Sequence, residues 1–572
     1  MTGRSRRCIA VVVALLCLAP IGLVRAAGQA QDLGTDAQRE AGKNLYLKYC
    51  AQCHGEKGDG EGYATPHLRP RPRDFTKGKF KVRTTPTGAL PTHQDLVNVI
   101  RRGMPYTSMP AWPNLSDQEV TDLAYFVKTF SSDFSNPDNA PKPIELPGAP
   151  RLSDESVELG KKLYAETGCI RCHGNLGRGD GPSAPTLVDD WGQPIRAADL
   201  SQSWTFRGGS SREDIFRTMS TGFNGTPMPG FVDALTPEQR WAITDFIASL
   251  SGNDGPGYKN LVIARRAADP IDLTKGAANF EGAPVARFPI IGQIMEPGRA
   301  FYPPVSSITV QAVYDAESIA LLVRWHDMRA DNTGKNDPTL PVPPEEEEAA
   351  QAAAPAGPTS QDPFADQTVP AAQPQTAAAQ DAFADPAAAP TTAAPSEFSD
   401  AVSVQIPMQA PTGARKPYFI FGDAQYPVDL WFFDLARPAP LQFTGKGSVD
   451  ITPNDTGDVT GVASYDQGEW SVIFKRPIRA TSGAAFEQGQ FVPVAFSVWD
   501  GFSRERGNRR GLSLWYSIYL EPENVPSAAG PMIRTALVIL FIELALIGWV
   551  RWRYSAKGRN ELERGHPAAT RA

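Results

Sequence analysis

Cys50-Ala-Gln-Cys53-His54 recurs 119 residues later as Cys169-Ile-Arg-Cys172-His173. Two thiols separated by two residues and followed at once by an imidazole can hold a haem covalently. The thiols add to the vinyl groups, and the histidine faces the iron. A methionine follows each copy at one fixed distance: Met109 lies 59 residues after Cys50, and Met228 lies 59 after Cys169. A thioether sulfur is the expected sixth ligand of an electron-carrying haem, because it raises the potential. A lone Cys-x-x-Cys also suits a zinc knuckle or a redox dithiol; two copies with matching histidines and methionines favour haem. Cys50, Cys53, Cys169 and Cys172 are therefore read as attachment sites for two haem c groups. His54, Met109, His173 and Met228 are read as the axial ligands. Met104 competes with Met109, but its counterpart in the second copy is Phe223.

The sequence around each motif predicts a small helical unit. Gly42, Leu45, Tyr46 and Tyr49 share one helix face running into Cys50, and Gly160, Leu163 and Tyr164 precede Cys169. A glycine on such a face lets a second helix approach closely. The expected partner is a closing helix, opened at Ser116-Asp-Gln-Glu119 or Thr236-Pro-Glu-Gln239 in the form of a capping box. Gly58-Asp59-Gly60 and Gly179-Asp180-Gly181 pair at an offset of 121, which implies residues gained and lost in loops. These features resemble class I cytochrome c over about residues 35–252, as two domains, 35–133 and 150–252.

At 572 residues and a net charge of −7 the chain holds several domains, and it lacks the basic character of a nucleic-acid binder. Residues 1–30 read as an export signal with Arg4, Arg6 and Arg7 ahead of an apolar run that contains Cys8 and Cys17. Its removal would leave no cysteine for a disulfide. Arg69, Arg71, Arg73, Lys77, Lys79, Lys81 and Arg83 form a basic arc. It suits an acidic redox partner or haem propionates, or else is a solvated loop. His67 and His93 lack counterparts in the second copy and are expected at the surface.

Beyond residue 257 the text becomes β-rich. Ser307–Asp315 and Ser318–Asp327 read as a hairpin, and further strands are expected from Val402, at Val428–Phe433, Trp470–Phe474, Phe491–Trp499 and Leu512–Leu520. Between them, residues 341–399 are rich in Ala, Pro, Gln and acidic residues and are expected to be a disordered insertion within one β-domain, 257–525. Pro531–Val550 is a membrane-span candidate. Arg551, Arg553, Lys557 and Arg559 follow it, so the tail 551–572 is expected in the cytoplasm and the rest outside, on the periplasmic side. Glu543 inside the span suits contact with another membrane helix or a protonated carboxyl.

Lys416-Pro-Tyr-Phe419, Gly422-Asp423, Val428-Asp-Leu-Trp431, Gly468-Glu-Trp-Ser-Val-Ile-Phe474, Arg476-Pro477, Val494-Ala-Phe-Ser-Val-Trp-Asp-Gly501 and Glu505-Arg-Gly507, with Ser513 and Trp515, resemble the haem-b-binding γ subunit of ethylbenzene dehydrogenase and its relatives. The resemblance implies a β-sandwich outside the membrane that serves a molybdopterin catalytic subunit and an iron–sulfur subunit. Electrons would pass to or from a soluble cytochrome, a quinol system or a terminal oxidase. In that family the haem b iron is held by a methionine before the Gly-Asp pair and a lysine three residues before the serine. Those positions here read Phe421 and Arg510, so haem b is not expected; Met408 and Lys475 are nearby donors of the right kinds.

The expected architecture is thus two all-α cytochrome domains, a β-sandwich with an insertion, and one C-terminal transmembrane helix. No nucleophile–base constellation is apparent, so no catalytic residue is assigned and a non-catalytic electron-transfer subunit is favoured. A self-contained haem oxidoreductase with a catalytic β-domain, or a structural membrane anchor, stands as the alternative.

Overall fold

The computed structural model describes residues 32–68, 70–251, 255–300, 302–343, 396–409, 415–480, 482–523 and 529–564. The expected export signal with Cys8 and Cys17, Arg69, most of the expected insertion, and the tail beyond 564 lie outside them.

Helices α1 (Asp36–Tyr49), α2 (Ala51–His54), α3 (His93–Arg102) and α4 (Asp117–Lys128) build the first haem-motif unit. Helices α5 (Asp154–Glu166), α6 (Ile170–His173), α7 (Arg212–Thr221) and α8 (Pro237–Leu250) repeat it. Both expected capping boxes form: Ser116 and Thr236 each accept from the third helical amide, while Glu119 and Gln239 reach back to the cap amide. The close helix contacts are also present. A Cβ on Gly42 would run into the Asp122 carbonyl of α4, and one on Gly160 into the Ala242 carbonyl of α8. Tyr46, Leu123 and Ala124 are buried beside the first contact, and Tyr164, Ile243 and Phe246 beside the second.

The β-rich part has strands β1 (Leu261–Arg266), β2 (Ala286–Pro289), β3 (Ile291–Gly292), β4 (Ser307–Tyr314), β5 (Ser318–His326), β6 (Ala401–Pro407) and β7 (Val428–Asp434). It continues with β8 (Leu441–Gly445), β9 (Ile451–Pro453), β10 (Thr460–Asp466), β11 (Glu469–Pro477), β12 (Phe491–Trp499), β13 (Gly511–Leu512) and β14 (Tyr516–Leu520). The main path runs β10-β11-β5-β4-β1-β14-β12-β6-β7-β8-β9. Strand β12 is the fold line. Its first half pairs with β14 through Phe491–Val494, and its second half pairs with β6 through Ala495–Trp499. The two limbs face each other, with Val310, Val323 and Phe474 from one packing against Val404, Trp431 and Phe433 from the other. This is the sandwich the resemblance implies.

The hairpin β4–β5 forms as expected, and the strands flanking the insertion, β5 and β6, lie in the same sheet system. The expected run Leu512–Leu520 is instead interrupted at Ser513–Trp515. There the Ser513 hydroxyl accepts the Phe496 amide at 2.9 Å, taking the place of a ladder partner. Helix α9 (Ala529–Arg564) contains one stretch, Ala529–Ser555, long and apolar enough to cross a membrane, and nothing described packs over it.

The two cytochrome units and the sandwich are joined by polar contacts. Arg83, 1% exposed, donates to the Thr221 carbonyl at 2.6 Å and to that of Gly222 at 3.3 Å. The Gly88 amide donates to Asn224 Oδ1 at 2.8 Å. The guanidinium of Arg73 lies 4.3 Å over the Trp191 ring, and Lys79 pairs with Asp190. Much of the basic arc is therefore seam between the two units, neither an open docking face nor a solvated loop. A short basic loop facing a second copy of the fold has carbonyls and acidic side chains within reach, which its own sequence cannot reveal. His93 also departs from expectation: it is half-buried, with its ring 4.2 Å from that of Tyr125. His67 is exposed, as expected.

Candidate haem sites

Cys50 caps α1, and the one-turn helices α2 and α6 carry each second cysteine and histidine. All four cysteines are free and half-buried. Burial pushes their thiols up, Cys50 to about 12. A redox dithiol needs the opposite shift. No group of three His, Cys or acidic ligands gathers around either motif among the described residues.

The histidines are prepared identically. His54 Nδ1 lies 3.1 Å from the Arg73 carbonyl, and His173 Nδ1 lies 2.9 Å from that of Ala198. Nδ1 must carry the proton to donate there, which leaves the Nε2 lone pair for a metal. Burial holds both rings neutral, His54 down to about 4. Phe75 stacks 4.5 Å from the His54 ring.

The residue after each histidine is anchored as well. The Tyr46 hydroxyl donates to the Gly55 carbonyl at 2.6 Å, and that of Tyr164 to the Gly174 carbonyl at 2.8 Å. The sequence places these tyrosines on the core face but does not show that their hydroxyls fix the histidine turn. Their recurrence just ahead of both motifs was the available signal.

The glycines after each histidine align differently from the Gly-Asp-Gly reading. Gly58, Gly60 and Gly62 make the backbone bonds that Gly177, Gly179 and Gly181 make: to the carbonyls of Gly55 and Gly174, His54 and His173, and Cys53 and Cys172. The offset stays at 119, and the shared pattern is Gly-x-Gly-x-Gly. The first two in each set have φ near +70 to +79°, which favours glycine. Six residues are gained only afterwards, between Gly62 and Arg73 against Gly181 and Ala198, and lost again before α7.

The methionine loops match too. The Met104 amide donates to the Met109 carbonyl at 3.0 Å and the Phe223 amide to the Met228 carbonyl at 3.1 Å, so Met104 and Phe223 are structural counterparts. A cleft of about 1910 Å³ opens between the cytochrome units and the sandwich, touching Thr107, Ala197 and Asp199. Its lining holds ten arginines against four carboxylates, a strongly cationic wall.

Three family models match the chain. Residues 37–127 match subunit III of cbb3-type cytochrome c oxidase, residues 157–251 match cytochrome c, and residues 277–455 and 448–511 match ethylbenzene dehydrogenase. The chain carries two cytochrome c domains and an ethylbenzene dehydrogenase domain. Covalent haem c is the cofactor such cytochrome domains hold.

Among curated relatives, the chain is 31% identical over 130 residues to a putative respiratory nitrate reductase heme subunit of Haloferax mediterranei, which is 22% of this chain and 46% of that one. It is 28% identical over 126 residues to the cbb3-type cytochrome c oxidase subunit FixP of Sinorhizobium medicae, 21% of this chain and 37% of that one. The chain thus spans less than half the length of these relatives. A chain of the reducing HAO-like protein complex of Kuenenia stuttgartiensis is 41% identical, with 37% of this chain and 96% of that one covered and a TM-score of 0.36.

The two positions at which the resemblance implies haem b ligands are occupied by Phe421 and Arg510. Arg510 is fully buried, and its guanidinium sits 3.8 Å from the Phe421 ring centroid. Phenylalanine has no lone pair for iron, and arginine's guanidinium offers none while protonated. The two side chains pack directly on each other. Lys475 donates to the Ile271 carbonyl at 2.6 Å and Met408 follows β6 with its amide on the Pro427 carbonyl. Met408 is not part of the apolar cluster of Phe421, Phe432 and Trp499.

Proposed function

We propose that this chain is a membrane-anchored di-haem c subunit that passes electrons between an extracytoplasmic molybdenum/iron–sulfur oxidoreductase and the respiratory chain. The observation that carries the reading is the duplicated histidine setting, in which each Nδ1 is committed to a backbone carbonyl and each Nε2 is left for iron. Cys50 and Cys53 would bind one porphyrin as thioethers, with His54 and Met109 on its iron. Cys169, Cys172, His173 and Met228 would bind the second. Haem bound there supplies a one-electron couple.

The chain's own residues do the rest. Tyr46 and Tyr164 hold the histidine turns, and the carbonyls of Arg73 and Ala198 set the tautomer. Arg83 and Asn224 fix one cytochrome domain against the other, keeping the transfer geometry constant. The arginines of the cleft supply positive charge for haem propionates, whose carboxylates their planar forks suit. The sandwich keeps the family's docking role without its haem b, so electrons pass from the partner's iron–sulfur chain directly to the c-type haems. Helix α9 anchors the assembly, with Arg551 and Arg553 on the cytoplasmic side.

Purification of the full chain in mild detergent tests this. Molybdenum and iron–sulfur subunits should co-elute, and their substrate should reduce the c-type haems. Substrate turnover by the isolated chain would contradict the reading and favour a catalytic β-domain.

A further inference from the structure

Three strand ends converge where the second cytochrome domain meets the sandwich. Asp331 follows β5, Asp400 directly precedes β6, and Asp500 directly follows β12. One carboxylate oxygen from each lies within 4.8 Å of the other two, and the three residues are 3%, 0% and 1% exposed. Backbone bonds hold the ends together, with the Asp400 amide on the Asp331 carbonyl at 2.8 Å and the Gly501 amide on Asp400 Oδ1 at 2.8 Å.

A fourth buried carboxylate lies nearby. Asp327, 3% exposed, has Asp400 and Asp500 as its like-charged neighbours, and its Oδ2 has no hydrogen-bond partner. Asp331 Oδ2 is also buried and unpartnered. Glu505 adds a fifth buried acid, its Oε2 accepting the Asp500 amide at 2.9 Å. Among the described residues three cations stand against these five: Arg196 pairs with Asp500 at 2.7 Å, Arg329 pairs with Asp331 at 2.5 Å, and Arg509 acts on Glu505. Burying carboxylates without compensating charge is costly, and buried charges are normally paired or bound to metal.

We propose that Asp331, Asp400 and Asp500 bind one Ca²⁺ ion. The donor set is all carboxylate oxygen, from several loops, which suits a hard cation with flexible coordination better than Mg²⁺ or a thiolate-seeking metal. The ion neutralises the excess charge, including that of nearby Asp327, and gives the unpartnered oxygen of Asp331 a ligand. It also serves a seam. Arg196, which reaches into the cluster, stands two residues before Ala198, the carbonyl partner of His173. Ca²⁺ therefore clamps the histidine loop of the second cytochrome domain to the sandwich, whether or not the chain has the electron-transfer partners proposed above.

The test uses the full chain in detergent, stripped with EGTA and dialysed against trace CaCl₂. Elemental analysis should find about one Ca²⁺ per chain. Calorimetry should show Ca²⁺ binding at least tenfold tighter than Mg²⁺, with a Ca²⁺-dependent rise in melting temperature. Asp331→Asn and Asp400→Asn should weaken binding tenfold or more while the visible haem spectrum stays unchanged. Absence of bound Ca²⁺ in the wild-type chain overturns the proposal even where the variants do not accumulate. Equal affinity for Mg²⁺, or undiminished Ca²⁺ in folded Asp331→Asn, overturns it as well.

Discussion

At the scale of single residues, the side chains that matter most have one job each. Met228 is expected to hold the second haem's iron. Met228→Ala should leave that haem attached through Cys169 and Cys172, open its sixth position and lower its potential; an unchanged spectrum and potential in a redox titration would remove Met228 from the site. Gly160 has no room for a side chain because the Ala242 carbonyl occupies the place of its Cβ. Gly160→Ala should lower stability by about 1–3 kcal/mol through overpacking, whereas Gly148→Ala, with open space around it, should melt like wild type. Lys128 gives a pH signature. Burial pushes its ammonium down to about 8 from 10.5, against the opposing charge of Asp32. The folded state therefore disfavours the charged form. That penalty is full below pH 8 and fades as pH rises to 10.5. Stability relative to Lys128→Met should thus rise over that window in thermal melts.

At the scale of elements, much was legible in sequence because local chemistry decides it. The capping residues Ser116 and Thr236 announce α4 and α8, and the glycines at 42 and 160 announce the close contacts those helices make. The Cys-x-x-Cys-His motifs and their methionines stand at equal spacing in both copies. What was not legible depends on groups that any residue can supply or on distant partners. The carbonyls of Arg73 and Ala198 that orient the histidines are backbone atoms, and the loops carrying them differ in length by six residues. The glycine ladder is masked in the sequence because Asp59 and Asp180 suggest a shared Gly-Asp-Gly, while the backbone bonds follow Gly58-x-Gly60-x-Gly62. The fold line in β12 likewise depends on pairing with β14 on one half and β6 on the other, which local periodicity cannot disclose. The seam carries its own prediction. Arg83→Ala removes buried charged hydrogen bonds to Thr221 and Gly222, each class worth about 1.5–3 kcal/mol. The linker between the cytochrome domains, residues 129–153, should then be cut faster by protease while both domains keep their haem; an unchanged cutting rate would show that Arg83 does not hold the seam.

For the whole molecule, the distinctive proposal is a haem inventory: two covalent haem c groups and no haem b. The duplicated motifs support the first half, and Arg510 packed on Phe421, at the positions where the resemblance implies iron ligands, supports the second. Together they define how electrons would cross the chain, from a docked partner to the cytochrome domains without a relay in the sandwich. Acid-acetone extraction followed by pyridine haemochrome analysis of the pure full-length protein measures both halves at once. Two haems per chain should stay with the polypeptide and essentially none should enter the organic phase. One covalent haem, or one extractable haem per chain, would contradict the account.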